Sequence, residues 1–112
     1  MTAFEFGSVV LVAFPFTDLA TTKQRPAAVV SSRRYNVERP DLIILAITSR
    51  AGVQGGIGEA ALDDWSTAGL LKPSLLKPVL TTIEQRLVRR PLGALSTRDC
   101  RALRRILDEI IG

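Results

Sequence analysis

Arg25, Thr48 and Ser49 are the residues of this chain whose types and places best suit chemistry, because its 112 residues include no histidine and one cysteine. That composition excludes Ser-His-Asp and Cys-His catalysis and a zinc site of the usual nitrogen and sulfur type. What remains must be built from guanidinium, ammonium, hydroxyl and carboxylate groups. RNA cleavage is prominent among the reactions such groups support, because the substrate brings its own nucleophile, the ribose 2′-OH. A guanidinium is planar, stays protonated and offers paired donors to phosphate oxygens, so Arg25 suits the charge that gathers on a five-coordinate phosphorus. Thr48 and Ser49 stand where an apolar run ends, a rigid base for a hydroxyl aimed at a phosphate. Composition alone leaves their ordinary roles open, a solvated loop cation for Arg25 and a strand-end cap for the hydroxyls.

The elements that must position these groups are mostly strands. SVVLVAF at residues 8–14 is a β-branched run ended by Pro15, and a long polar loop then delivers Lys23 and Arg25 to the rim before a second strand at residues 27–31. Residues 33–41, with Asn36 and Pro40, form a turn-rich connector in which Tyr35, beside Arg33 and Arg34, is a candidate for base contact. LIILAIT at residues 42–48 is the third strand. Residues 59–62 make a short strand, and residues 63–68 one or two helical turns opened by an acidic cap and stopped by Gly69. SLLKPVLTTI at residues 74–83 is β-rich, with Pro78 requiring an edge or a bulge. Residues 87–89 add a last small strand.

One helix is signalled clearly. Ser96 is placed to cap the amide of Asp99, with Asp99 answering as in a capping box. Cys100, Leu103, Ile106, Leu107 and Ile110 repeat at helical spacing, which leaves Arg98, Arg101, Arg104 and Arg105 off the apolar stripe. Strands first and one helix last, in a single domain over residues 1–112, predict a mainly β fold: a small, strongly bent barrel closed by a C-terminal helix.

Fifteen Lys and Arg against eleven Asp and Glu give a net charge of +4, concentrated in the C-terminal third, which suits an anionic partner. No apolar run approaches the ~20 residues that span a bilayer. The N-terminus carries Glu5 and no basic segment, and Cys100 has no disulfide partner, so a cytoplasmic location without membrane association is expected. The acids are scattered, so neither a metal site nor a cofactor is expected. GGIG at residues 55–58 lacks the lysine and the strand-loop-helix setting of a phosphate loop and is a turn. Trp65 is expected to plug the barrel end, and Cys100 to pack in the core.

Residues 7–32, GSVVLVAFPFTDLATTKQRPAAVVSS, resemble the opening of the PemK/MazF family of toxin ribonucleases: a Gly-led strand, a Phe-Pro-Phe-like segment, then Lys-x-Arg-Pro and an apolar strand. The resemblance continues through AITS at 46–49, GLLKPS at 69–74, LTTIEQ at 80–85 and LGALS at 92–96. It implies an SH3-like barrel of the MazF/CcdB kind, a homodimer that cuts single-stranded RNA without a metal and is silenced by a cognate acidic antitoxin. By position, Arg25 and Thr48 correspond to residues implicated in cleavage, with Ser49 adjoining. Many relatives carry an Arg-Cys-Asp-like segment after the Pro-Ser pair. Here LLKPVL at residues 75–80 puts Lys77 at the basic position and no acid follows. An alkylammonium is a poor base at neutral pH, so Lys77 suits a proton donor or phosphate clamp. The resemblance thus implies catalysis by Arg25, Thr48 and Lys77, with Lys23, Ser49, Tyr35 and Arg33 holding RNA. Two competing functions for the same barrel are a CcdB-like poison that binds DNA gyrase and an inactive RNA-binding barrel.

Overall fold

The computed structural model of the protein describes residues 3–13, 24–49 and 56–112. Among these residues six strands form one antiparallel sheet: β1 (Ser8–Ala13), β2 (Gln24–Val29), β3 (Asp41–Ser49), β4 (Ala60–Ala61), β5 (Ser74–Glu84) and β6 (Val88–Ala94). Their order across the sheet is β4-β5-β3-β2-β1-β6. Two α-helices are formed among the described residues, α1 (Arg33–Glu38) and α2 (Thr97–Ile111).

Residues 9–13 of β1, 27–29 of β2 and 42–47 of β3 are apolar without interruption because both faces of the sheet are buried there. Val9, Ala28, Leu45 and Ile47 point to one face, where Leu103 and Ile106 of α2 cover them. Their neighbours Val10, Ala27, Ile44 and Ala46 point to the other, where Phe4, Val79, Ile83 and Val88 pack against them. The second face is enclosed by curvature. β5 and β6 are separated by three strands in the sheet but by only the 3-10 turn Gln85–Leu87 in sequence, so the sheet must curl to bring them together. Register shifts in the β3–β5 and β1–β6 pairings supply the bend.

The curl does not close into the expected barrel: among the described residues β4 and β6 are the edges of the sheet. β4 is two residues long, and β6 carries Arg89, Arg90 and Pro91, features that discourage pairing with another chain. β6 is also longer than the small strand expected at residues 87–89. Pro91 is tolerated because β6 pairs on one side only. Pro78 sits at the β3–β5 irregularity, as its missing N–H requires.

Two further expectations are corrected. Residues 33–38 are helical: Ser32 Oγ accepts the Tyr35 N–H at 3.1 Å, and Arg34 pairs with Glu38 one turn on at 2.8 Å. The capping box at α2 is only half formed. Ser96 Oγ accepts the Asp99 N–H at 3.2 Å, but the Asp99 carboxylate turns away to accept the N–H groups of Asp63 at 2.9 Å and Asp64 at 2.8 Å. Asp99, 1% exposed, thus clasps residues 63–69, which form a turn, onto the start of α2. Ser96 Oγ donates to Asp64 Oδ2 at 2.6 Å and Arg98 adds an ion pair at 3.0 Å. The Ser96 hydroxyl first, and then the Arg98 guanidinium, hold the Asp64 carboxyl below the ordinary carboxylate range.

Candidate active site

Arg25 is not on a loop. It is the second residue of β2, where it lies opposite Val12 of β1. The β2–β3 ladder runs from Val29↔Ile44 to Ala27↔Ala46, and Pro26, which has no N–H to give, comes just beyond it. Extending that register by two residues brings Arg25 opposite Thr48.

On the other side of β3, Ile47 faces Leu76 and Thr48 faces Leu75, while the irregularity between Leu45 and Ile47 leaves extra β5 residues against Ala46. Leu76 points to the α2 face, so alternation turns Lys77 to the other. Arg25, Thr48 and Lys77, from three adjacent strands, therefore line one small cleft of about 160 Å³ whose floor includes Ala46. All three are half-buried, and the Nε of Arg25 is shielded from solvent.

Ser49 follows Thr48 on the same strand and must project to the opposite face. It lines a larger cleft of about 400 Å³ with Lys72, Ser74 and Arg90, between walls that include Leu11, Leu70 and Leu92. Arg25 lines this cleft as well. Among the described residues, no Asp or Glu lines either one. Glu84, the acid nearest to Lys77 along β5, is seven residues away, roughly 23 Å of strand, and is paired with Arg86.

Other sequence-predicted residues lie elsewhere. Arg33 and Tyr35 are on α1, beyond the far end of β2 from Arg25 and outside both clefts. The Tyr35 hydroxyl donates to Asp41 Oδ2 at 2.9 Å, and the Arg39 guanidinium stacks 5.2 Å from its ring. The Arg39 hydrogen bond lowers the Asp41 pKa most; burial opposes it, and the Tyr35 hydroxyl adds a lesser lowering. Lys23 lies outside the described residues. Trp65 and Cys100 pack against the α2-side core, and burial pushes the Cys100 thiol up.

Three residues of the larger cleft, Lys72, Ser74 and Arg90, escaped sequence reasoning. Their signal was alternation: Ser49 cannot share a face with Thr48, so its companions had to be sought on the other side of the sheet.

The sequence profile of the PemK-like, MazF-like toxins of type II toxin-antitoxin systems matches residues 5–111. The chain belongs to that family. Solved structures share its fold: an endoribonuclease bound to its cognate antitoxin from a mycobacterial species has a TM-score of 0.78 at 16% identity, over 98% of this chain and 96% of that one. MazF from Deinococcus radiodurans has a TM-score of 0.77 at 22% identity, over 100% and 99%. A MazE-MazF complex from the same organism has a TM-score of 0.75 at 23% identity, over 99% and 98%. No curated protein sequence matches the chain.

Proposed function

We propose that this toxin is a sequence-selective endoribonuclease that cuts single-stranded RNA without a metal, acts as a homodimer in the cytoplasm and is neutralised by an acidic cognate antitoxin. The observation that carries the proposal is the convergence of Arg25, Thr48 and Lys77 on one cleft. In the step envisaged, the ribose 2′-oxygen attacks the adjacent phosphorus and its proton passes to solvent. The bond from phosphorus to the 5′-oxygen breaks, leaving a 2′,3′-cyclic phosphate and a 5′-hydroxyl. Arg25 donates to the non-bridging oxygens as negative charge builds on them, Thr48 holds the phosphate in line, and the Lys77 ammonium gives the 5′-oxygen its proton. The missing acid after Lys77 is consistent with this division of labour, since no protein carboxylate is asked to act. Lys23 is assigned to backbone contacts, and Ser49 to RNA binding beside Thr48. Arg33 and Tyr35, remote from the cleft, are assigned no part in the bond-breaking step.

The antitoxin is supported by the neighbouring structures that hold one. A gyrase-binding toxin of the same fold would have no use for three convergent phosphate-directed groups.

Purified protein incubated with a long RNA in EDTA should release discrete fragments ending in cyclic phosphate. Losing one such donor costs about 10²- to 10³-fold in rate, so Arg25→Ala should cut at least a hundredfold more slowly. Equal cutting by Arg25→Ala and wild type would refute the assignment of Arg25.

A further inference from the structure

The larger cleft takes no part in the bond-breaking step, yet it is formed as a binding site. We infer that it seats the nucleotide adjoining the scissile phosphate, with the base between Leu11, Leu70 and Leu92 and the neighbouring phosphates on Lys72 and Arg90; the inference rests on the ribonuclease assignment.

The chemistry of the lining favours a nucleotide over other anions. At about 400 Å³ the cleft falls in the range of sites that enclose small-molecule-sized groups. Apolar walls give the flat faces of a base a dry surface. Hydroxyls at Ser49 and Ser74 give its edge polar partners, which is how splayed single-stranded bases are recognised. Ser74 is 6% exposed and its hydroxyl already donates to the Lys72 carbonyl at 2.8 Å, so toward a ligand it is an oriented acceptor for a base N–H. Lys72 and Arg90 are exposed at the rim, where phosphates would run, and among the described lining residues no carboxylate opposes them. An acidic peptide would satisfy the rim cations but has no group that uses both the apolar walls and the inward hydroxyl.

Connection to the reacting centre comes from Arg25, which lines both clefts. Thr48 and Ser49 are consecutive, and they open onto opposite sides. An RNA strand drawn over this end of β2 and β3 passes from one cleft to the other around a single guanidinium. One nucleotide is thereby gripped on the α2-side face while the adjoining phosphate is presented to Thr48 and Lys77 on the other.

Binding can be measured apart from cleavage with a fluorescein-labelled, random-sequence 2′-O-methyl RNA of about 12 nucleotides, a length within the usual single-strand site range. Its blocked 2′-oxygens cannot attack. Anisotropy titrations across salt concentrations should show Lys72→Gln and Arg90→Gln each weakening binding about three- to tenfold. Each should also reduce the salt slope by about 0.7, the value for one lost contact to a single-strand phosphate. Arg101→Gln, on the exposed face of α2 and outside the cleft, should match wild type in both respects. All three side chains are exposed, so thermal melts should coincide. Wild-type affinity and slope in both Lys72→Gln and Arg90→Gln would overturn the inference. So would loss of an acidic antitoxin peptide with RNA binding intact, which would make the cleft a protein-docking site. A wild-type protein that binds this RNA through Lys72 and Arg90 but cuts no RNA would uphold the cleft as a nucleotide seat and refute the ribonuclease assignment, and with it the placement beside a scissile phosphate. One that binds no RNA would refute both.

Discussion

Replacing Asp99 by alanine tests how the fold holds the wall of the larger cleft. The carboxylate is 1% exposed and accepts the N–H groups of Asp63 and Asp64 at 2.9 and 2.8 Å. A hydrogen bond to a charged group is worth about 1.5–3 kcal/mol, with the lower end fitting donors that are partly exposed. The acid also lies in the first turn of α2, where its charge adds about 0.3–1 kcal/mol against the helix dipole. Two such bonds at the lower end and the dipole contribution together predict a loss of about 3–4 kcal/mol. Unfolding entropy near 2.1 cal/mol/K per residue over 112 residues converts this to a fall in Tm of about 13–17 °C. Asp99→Asn should recover little, because its amide can accept from one N–H but turns a donor toward the other. Denaturant titrations followed by circular dichroism would measure both variants. An Asp99→Ala protein within about 0.5 kcal/mol of wild type, the range of an ordinary surface change, would show that the clasp carries no stability and refute the reasoning.

Three other outcomes are expected. Asp41 and Asp64 have carboxyl groups held below the ordinary range by hydrogen bonds made only in the fold; such groups stabilise above their unfolded pKa and lose that contribution as pH falls through the folded value. Acid titration should therefore show stability declining below about pH 4–5, and Asp64→Asn should make that decline shallower. Gly69 has φ +86°, and a Cβ there would lie 2.1 Å from the Leu92 carbonyl oxygen, so Gly69→Ala should cost more than about 2 kcal/mol in the same denaturant assay and weaken RNA binding as the cleft wall shifts. Tyr35→Phe removes the hydroxyl bonded to Asp41 but touches neither cleft, so its cleavage rate should match wild type in a single-turnover assay.

The strands were legible because both of their faces are buried: uninterrupted apolar runs such as residues 42–48 have few other uses. The C-terminal helix was legible from Ser96 and the spacing of Leu103 and Ile106. What escaped depended on contacts distant in sequence. Arg25 reads as a loop residue, since a proline follows it and polar residues precede it; pairing with Val12 draws it into β2. Tyr35 reads as a loop residue because α1 is six residues long, held by the Ser32 cap and local pairs rather than by an apolar stripe. Asp99 reads as a partner for Ser96, and only the return of residues 63–69 to the helix start gives its carboxylate better donors. Thr48 and Ser49 were grouped by adjacency, which in a strand is what separates them.

The wall of the larger cleft is fixed from two directions. At one end Asp99 clasps the turn of residues 63–69 to α2. At the other, that turn meets β6 backbone to backbone: a Cβ on Gly69 would strike Leu92, and one on Gly93 would lie 2.7 Å from the Ala68 carbonyl oxygen. Only glycines permit that approach. Residues 70–74, which carry Leu70, Lys72 and Ser74, emerge directly from this junction, while Leu92 and Arg90 belong to the strand it presses against. The spacing between the two walls is thus set by main-chain contact and a buried carboxylate rather than by flexible side chains. A cleft built in this way is preorganised, so on the RNA-binding proposal the ordering cost would fall mainly on the RNA strand, and changes at exposed Lys72 and Arg90 would alter affinity without disturbing the walls.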